Sequence, residues 1–144
     1  MRRIFGVCVV LLLALGLLPR ASFGQSPSKG RGSQLRQNYP NPFNPETTIG
    51  FEILEEDLQG GRSAVVTLRI FNVLQQLVAV PKAMHYPAGD DRPVQDLAYD
   101  SPGVKEAYWD GTDRNGRKVA SGIYYYQLIV NGERRGLKKM VVTK

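Results

Sequence analysis

His85 is the only histidine in the chain. Acid–base or nucleophilic chemistry needs such a group within reach of a nucleophile, a second base or a metal in one pocket. No Ser or Cys pattern accompanies His85, which falls beside a predicted loop and is expected to face solvent. Four carboxylates, Asp90, Asp91, Asp96 and Asp100, crowd a short stretch. Calcium would need several of their oxygens converging on one point, whereas acids spread along a loop are ordinarily solvated. The sequence does not choose between the two, and no metal ligand is assigned. Asp110, Asp113, Asn115 and Gly116 stand at D-x-x-D-x-N-G, not at the D-x-D-x-N-G of an EF-hand loop, and no glutamate closes the series. They read as turn formers, with Asn115-Gly116 supplying positive φ and the aspartates capping backbone amides. Glu55, Glu56 and Asp57 read as a solvated charge run on a turn. The tyrosines at 124–126 could stack a sugar or a base, but strand alternation places half of them in a core. Lys138, Lys139 and Lys144 could pair with acidic groups of a partner, or keep an edge strand from uncontrolled pairing. No Walker loop, zinc spacing or dinucleotide fingerprint is present. The chain is expected to be no enzyme, and no catalytic, cofactor-binding or metal residue is assigned.

The elements that would carry these residues are strands. Residues 47–54 alternate Ile49, Phe51 and Ile53 against Thr48, Gly50 and Glu52, the period-two pattern of a strand with one wet face. Residues 55–62 are polar and turn-like. Residues 63–72 put Ala64, Val66, Leu68 and Ile70 on one face, with Arg69 and Thr67 marking the outside. Residues 77–80 form a short third strand. Residues 84–103 are the least legible part; an unstructured loop of that length is uncommon in a compact domain, so residues 94–99 are expected to add a short edge strand. Residues 104–110 form another strand with Ala107 and Trp109 on one face. Residues 122–130 and 133–143, joined by Asn131-Gly132, form the clearest hairpin, with a two-residue turn of type I′. If that turn sets the register, Tyr126 faces Leu137, Tyr124 faces Lys139 and Ile123 faces Met140, and the buried face is Tyr124, Tyr126, Leu128 and Val130. Leu137 and Val141 then oppose Met140 and Val142, and a bulge could exchange them. About seven such strands, without an amphipathic helix, predict an all-β antiparallel β-sandwich.

Composition bounds the rest. The chain has 144 residues, 42% of them hydrophobic, with a net charge of +6, room for one domain. Residues 1–24 carry Arg2 and Arg3, then an apolar run at 7–18, then small residues. That run is too short for a bilayer, where about 20 residues are needed, and fits the roughly 7 to 15 of a signal-peptide core. Cleavage after Gly24 by signal peptidase is expected, leaving no stable membrane span. It would also remove Arg20, so that 16 basic residues stand against 13 acidic ones, a balance that gives no argument for nucleic acid. The single cysteine, Cys8, lies in this leader, so no disulfide or thiol chemistry is expected afterwards. Residues 25–37 have almost no apolar content and read as a disordered linker. Pro40, Pro42 and Pro45 stiffen the segment that follows, from which Tyr39 and Phe43 are expected to dock on the sandwich.

Three motifs then act together. Asn38, Tyr39, Pro40, Asn41, Pro42 and Phe43 open the run NYPNPFNPETTI; Trp109, Asp110 and Gly111 open a loop that leads to SGIYYYQLIV; and the chain ends LKKMVVTK. The combination resembles the type A C-terminal sorting domain of proteins exported by the bacterial type IX secretion system, and is similar to the Ig-like domain of flagellar hook-scaffold proteins. The resemblance covers residues 38–144. It implies an Ig-like or fibronectin-type sandwich that acts as a non-catalytic sorting module. Such a module is exported through the periplasm to the cell surface or medium, and the type IX machinery reads its final strand. By resemblance Gly122, Tyr124, Lys138, Lys139 and Lys144 are the recognition positions, reached by strand addition at a sheet edge or by pairing of basic with acidic side chains. Family members normally carry a cargo where this chain has residues 25–37, and commonly a glycine where it has Gln75 or Gln76, so a strained or different turn is expected there. The alternative is an Ig-like scaffold or adhesive domain that binds another cell-surface protein.

Overall fold

A computed structural model describes residues 34–144. The leader and most of the expected linker lie outside the described residues. Eight strands form: β1 (Thr47–Ile53), β2 (Ala64–Phe71), β3 (Leu77–Ala79), β4 (Lys82–Met84), β5 (Leu97–Tyr99), β6 (Gly103–Trp109), β7 (Gly122–Val130) and β8 (Glu133–Val142). One sheet has the order β1-β6-β4; the other has β3-β2-β7-β8, with β5 also paired to β2. All named pairings are antiparallel. The chain is an all-β sandwich, as alternation and turn spacing predict, with β4 as a strand that the sequence reading lacks.

The core lies between the sheets. Ile49, Phe51 and Ile53 of β1, Ala64, Val66, Leu68 and Ile70 of β2, Ala107 and Trp109 of β6, and Tyr124, Tyr126, Leu128 and Val130 of β7 are all buried. Val94 is buried as well because the stretch before β5 folds back into the sandwich: Leu68 N donates to Val94 O at 2.8 Å, and Val94 N to Pro81 O at 2.8 Å. The same fold-back covers Thr67, which is buried and not outside; its hydroxyl accepts from Asp96 N at 2.9 Å.

The expected hairpin register slips by one residue. Asn131 stands at φ 50 in the tight turn, and Val130 faces Glu133 and Ile129 faces Arg134 as the turn dictates. Leu128 then faces Gly136, so Arg135 is the extra residue of a bulge. From there Tyr126 faces Lys138, Tyr124 faces Met140 and Ile123 faces Val141, in place of Leu137, Lys139 and Met140. Met140 and Val142 thereby enter the core, while Leu137 is left 59% exposed. The cause lies in another part of the chain. Asp57, only 3% exposed and so no part of a solvated charge run, sits 3.2 Å from Arg135 Nη2. Asp57 Oδ2 also accepts from Leu54 N at 2.9 Å and Gln34 Nε2 at 2.6 Å. A buried carboxylate needs such partners, and the bulge turns Arg135 inward to supply one.

Candidate recognition site at the C-terminal strand

Residues 34–43 form a clasp across one side of the sandwich. Its first half lies along β1, where Glu52 N donates to Gln34 O (2.8 Å), Arg36 N to Gly50 O (2.8 Å), and Tyr39 and Thr48 exchange amide bonds (both 2.9 Å). Gln34 and Leu35 are buried, so residues 34–37, read from sequence as linker, belong to the folded domain. Its second half lies along β8. Val141 N donates to Asn41 Oδ1 (2.9 Å), Phe43 N to Val141 O (3.0 Å), Thr143 N to Phe43 O (2.9 Å) and Gln37 Nε2 to Lys139 O (3.1 Å). β8 is the last strand of its sheet, and unpaired edges invite further pairing. The clasp occupies that edge from Lys139 to Thr143.

Tyr126 holds the bend between the two halves. Its hydroxyl donates to Arg36 O and accepts from Asn38 N, both at 2.9 Å, and burial pushes the phenol up to about 12. Asn38 Nδ2 donates to Pro40 O and Thr47 Oγ1, each at 3.0 Å. Prolines suit the turn because they bring no amide that must find a partner. Of the two expected docking side chains, Phe43 is buried and Tyr39 is 81% exposed. The register explains the difference: Tyr39 pairs with β1 through its backbone.

Phe43 meets the end of β6. Its ring lies 5.5 Å from that of Trp109 at 61°, and Trp109 lies 5.8 Å from Tyr124 at 65°, both edge-to-face. Trp109 Nε1 donates to Thr112 O at 2.8 Å. Asp110 Oδ1 accepts from Thr112 N (3.0 Å) and Oγ1 (2.6 Å). Gly111 stands at φ 72, and a Cβ there would fall 2.4 Å from Pro45 O. Only glycine allows both the backbone shape and that approach. Asp113 Oδ1 accepts from Arg117 N (3.0 Å) and Asn115 N (2.8 Å), and those bonds, that of Arg117 first, hold its carboxyl below the usual range. The aspartates of this loop cap backbone amides, as a turn reading requires. Tyr108 hydroxyl donates to Glu46 Oε2 at 2.5 Å, which raises the phenol to about 12.

The five positions assigned by resemblance do not share one surface. Gly122 starts β7 opposite Val142 at φ 149, a backbone shape that side chains rarely adopt. Tyr124 is buried against Trp109, donates to Ala120 O at 2.9 Å, and has its phenol raised by burial. Lys138 and Lys139 alternate to opposite faces of β8 and pair with Tyr126 and Tyr125. Lys144 is exposed and lines a cleft of about 120 Å³ with Asn44, Pro45, Gly111 and Thr143. The acids of the 90–100 loop are dispersed: Asp90 accepts from Tyr86 N, Asp96 bonds Thr67, and Asp100 accepts from Ser63 Oγ. Among the described residues no three His, Cys, Asp or Glu converge to hold a metal, and His85 is exposed. No helix among them is long and apolar enough to cross a membrane. At Gln75, where a glycine would be usual, φ is 61.

β8 has a second feature, its outer face. Phe71, Tyr125 and Lys139 align across β2, β7 and β8, and so do Arg69, Gln127 and Leu137. The exchange of Leu137 for Met140, visible only once the bulge is known, creates this surface.

No protein-family model matches the chain, and no curated protein matches it. Among solved structures it is similar to part of dimeric latent PorU from Porphyromonas gingivalis, with TM-score 0.50 and 23% identity over 76% of this chain and 9% of that one. It is also similar to part of PorZ, described as an essential bacterial surface component of the type IX secretion system of P. gingivalis (TM-score 0.44, 20% identity, 80% of this chain and 13% of that one). A third is Pseudomonas fluorescens alkylpurine DNA glycosylase AlkC (TM-score 0.44, 14% identity, 78% and 31%). The chain spans a small part of each of these proteins, and the likeness to PorU is one of fold.

Proposed function

We infer that residues 34–144 are a non-catalytic C-terminal sorting module, read by the type IX secretion machinery and exported through the periplasm to the cell surface or medium. One observation carries this reading. The three motifs that resemble the sorting domain, far apart in sequence, meet at one place: Phe43 of the first motif packs edge-to-face on Trp109, and its backbone bonds Val141 of the last strand and Thr143 just beyond it. A fold that spends its motifs on fixing its own C-terminal strand is suited to presenting that strand. The inventory of nucleophiles, bases and metal ligands offers no reaction to set beside it. The test inserts a reporter between residues 24 and 34 and compares a type IX-competent strain with one that lacks the outer-membrane translocon. Release from the competent strain alone is the expected result. Retention in the periplasm of both would overturn the reading and favour the scaffold or adhesive alternative.

A further inference from the structure

We propose that the outer face of β2, β7 and β8 is a docking surface for an acidic protein partner that seats an apolar side chain between Leu137, Tyr125 and Phe71. The proposal rests on the sorting reading above and names the part of the C-terminal hairpin that is read.

The clasp leaves the edge of β8 bonded from Lys139 to Thr143, so a partner meets side chains there before it meets free backbone. On the outer face those side chains are of two kinds. Leu137 is 59% exposed, and Phe71 and Tyr125 are half-buried beside it. With Arg134 and the turn after β2 they line an open groove of about 420 Å³. Val73 and Leu74, on that turn, are also exposed. Exposed apolar groups that cluster in this way mark an interaction site more often than scattered ones do.

The rim fixes the chemistry of the occupant. Arg69, Arg134 and Lys139 are exposed on this face, and among the described residues none of the three has a carboxylate in ion-pair range. The outward positions of β2, β7 and β8 carry no Asp or Glu; Asp96, which folds over this face from outside those strands, is bonded to the Thr67 hydroxyl and lies in ion-pair range of none of the three cations. Three unneutralised cations around an apolar centre suit a surface with carboxylates at its rim and an apolar anchor at its middle.

The experiment places a photo-reactive phenylalanine analogue at position 137 of the full chain, irradiates type IX-competent cells, and maps the adduct by mass spectrometry. The same analogue at Val104, exposed on the other sheet, is the control. The expected result is an adduct to one acidic protein segment at 137 and none at 104, with yield falling at least tenfold in the Arg69→Glu, Arg134→Glu double variant. Both arginines are exposed, so an unchanged melting temperature of that variant confirms that the loss is one of contact. No adduct beyond the control, an adduct to a second copy of this chain, to a glycan or lipid, or to a segment without acids would overturn the proposal. Repeating the irradiation without the translocon separates the two readings. An acidic protein adduct that persists there, with a reporter never released, would sink the sorting function and leave the docking surface standing.

Discussion

Two sides of the same strand, β8, handle their polar and apolar groups in opposite ways. At its edge, backbone groups of Lys139, Val141 and Thr143 are bonded by Gln37, Asn41 and Phe43, and the ring of Phe43 is buried against Trp109. On its outer face Leu137 stays in water, and Arg134 and Lys139 have no acidic partner among the described residues. Unpaired buried backbone is costly, and a pairing edge open to water invites aggregation. From Lys139 to Thr143 the clasp removes both problems, so its residues act as architecture there. The outer face keeps what a closed architecture would have hidden, and that is where a partner has something to gain.

Breaking the clasp should cost most. Phe43→Ala deletes a buried ring and leaves a cavity beside Trp109; a loss of about 3–5 kcal/mol is expected for such a change, measured by urea denaturation. Gly111→Ala puts a Cβ against Pro45 O at an unfavourable φ, and should cost roughly 2 kcal/mol or more. Tyr126→Phe leaves Arg36 O and Asn38 N without their shared partner; the expected loss is about 1–3 kcal/mol, with faster exchange at the Asn38 amide as its local mark.

The same tyrosine gives the clasp a pH dependence. Burial raises Tyr126, and Tyr99 likewise, from 10.0 to about 12. A phenol that must stay neutral when folded contributes stability in full below pH 10, and loses it as the pH climbs toward 12. Denaturation followed at rising pH should therefore steepen across that window, and less so in Tyr126→Phe. The smallest effect belongs to the outer face: Leu137→Glu should change stability by no more than about 0.5 kcal/mol. A larger loss would mean that this leucine is packed, and would erase the contrast.

Much of this fold is legible because strands announce themselves by period two and turns by Gly, Asn and Asp. The core faces of β1, β2 and β7, the Asn131-Gly132 turn and the capping role of Asp110 and Asp113 all follow from residue type and local spacing. The parts that escaped depend on residues far apart. The split of Leu137 and Val141 from Met140 and Val142 leaves a bulge open as an alternative, but its place at Arg135 answers to Asp57, which nothing in the local sequence of β8 announces. Thr67 is buried because Val94 and Asp96 fold back over it. Tyr39 is an aromatic residue whose backbone, not its ring, does the pairing. Residues 34–37 are polar enough to read as linker, and Leu35 was the sign that they could anchor. At the candidate site, the motifs led to the clasp, whereas the outer face depended on a register that the bulge shifts by one.

The most direct test of the contrast is residue-resolved amide exchange on the unliganded domain, read at Val141 and Thr143. Their amides point to the clasp and are bonded to Asn41 and Phe43. If the edge is closed, both should exchange only as slowly as the core amides of β7, through global unfolding. Fast exchange at both, with β7 still protected, would show an open edge available to an added strand, and would contradict an account in which side chains of the outer face, not the backbone of β8, meet the partner.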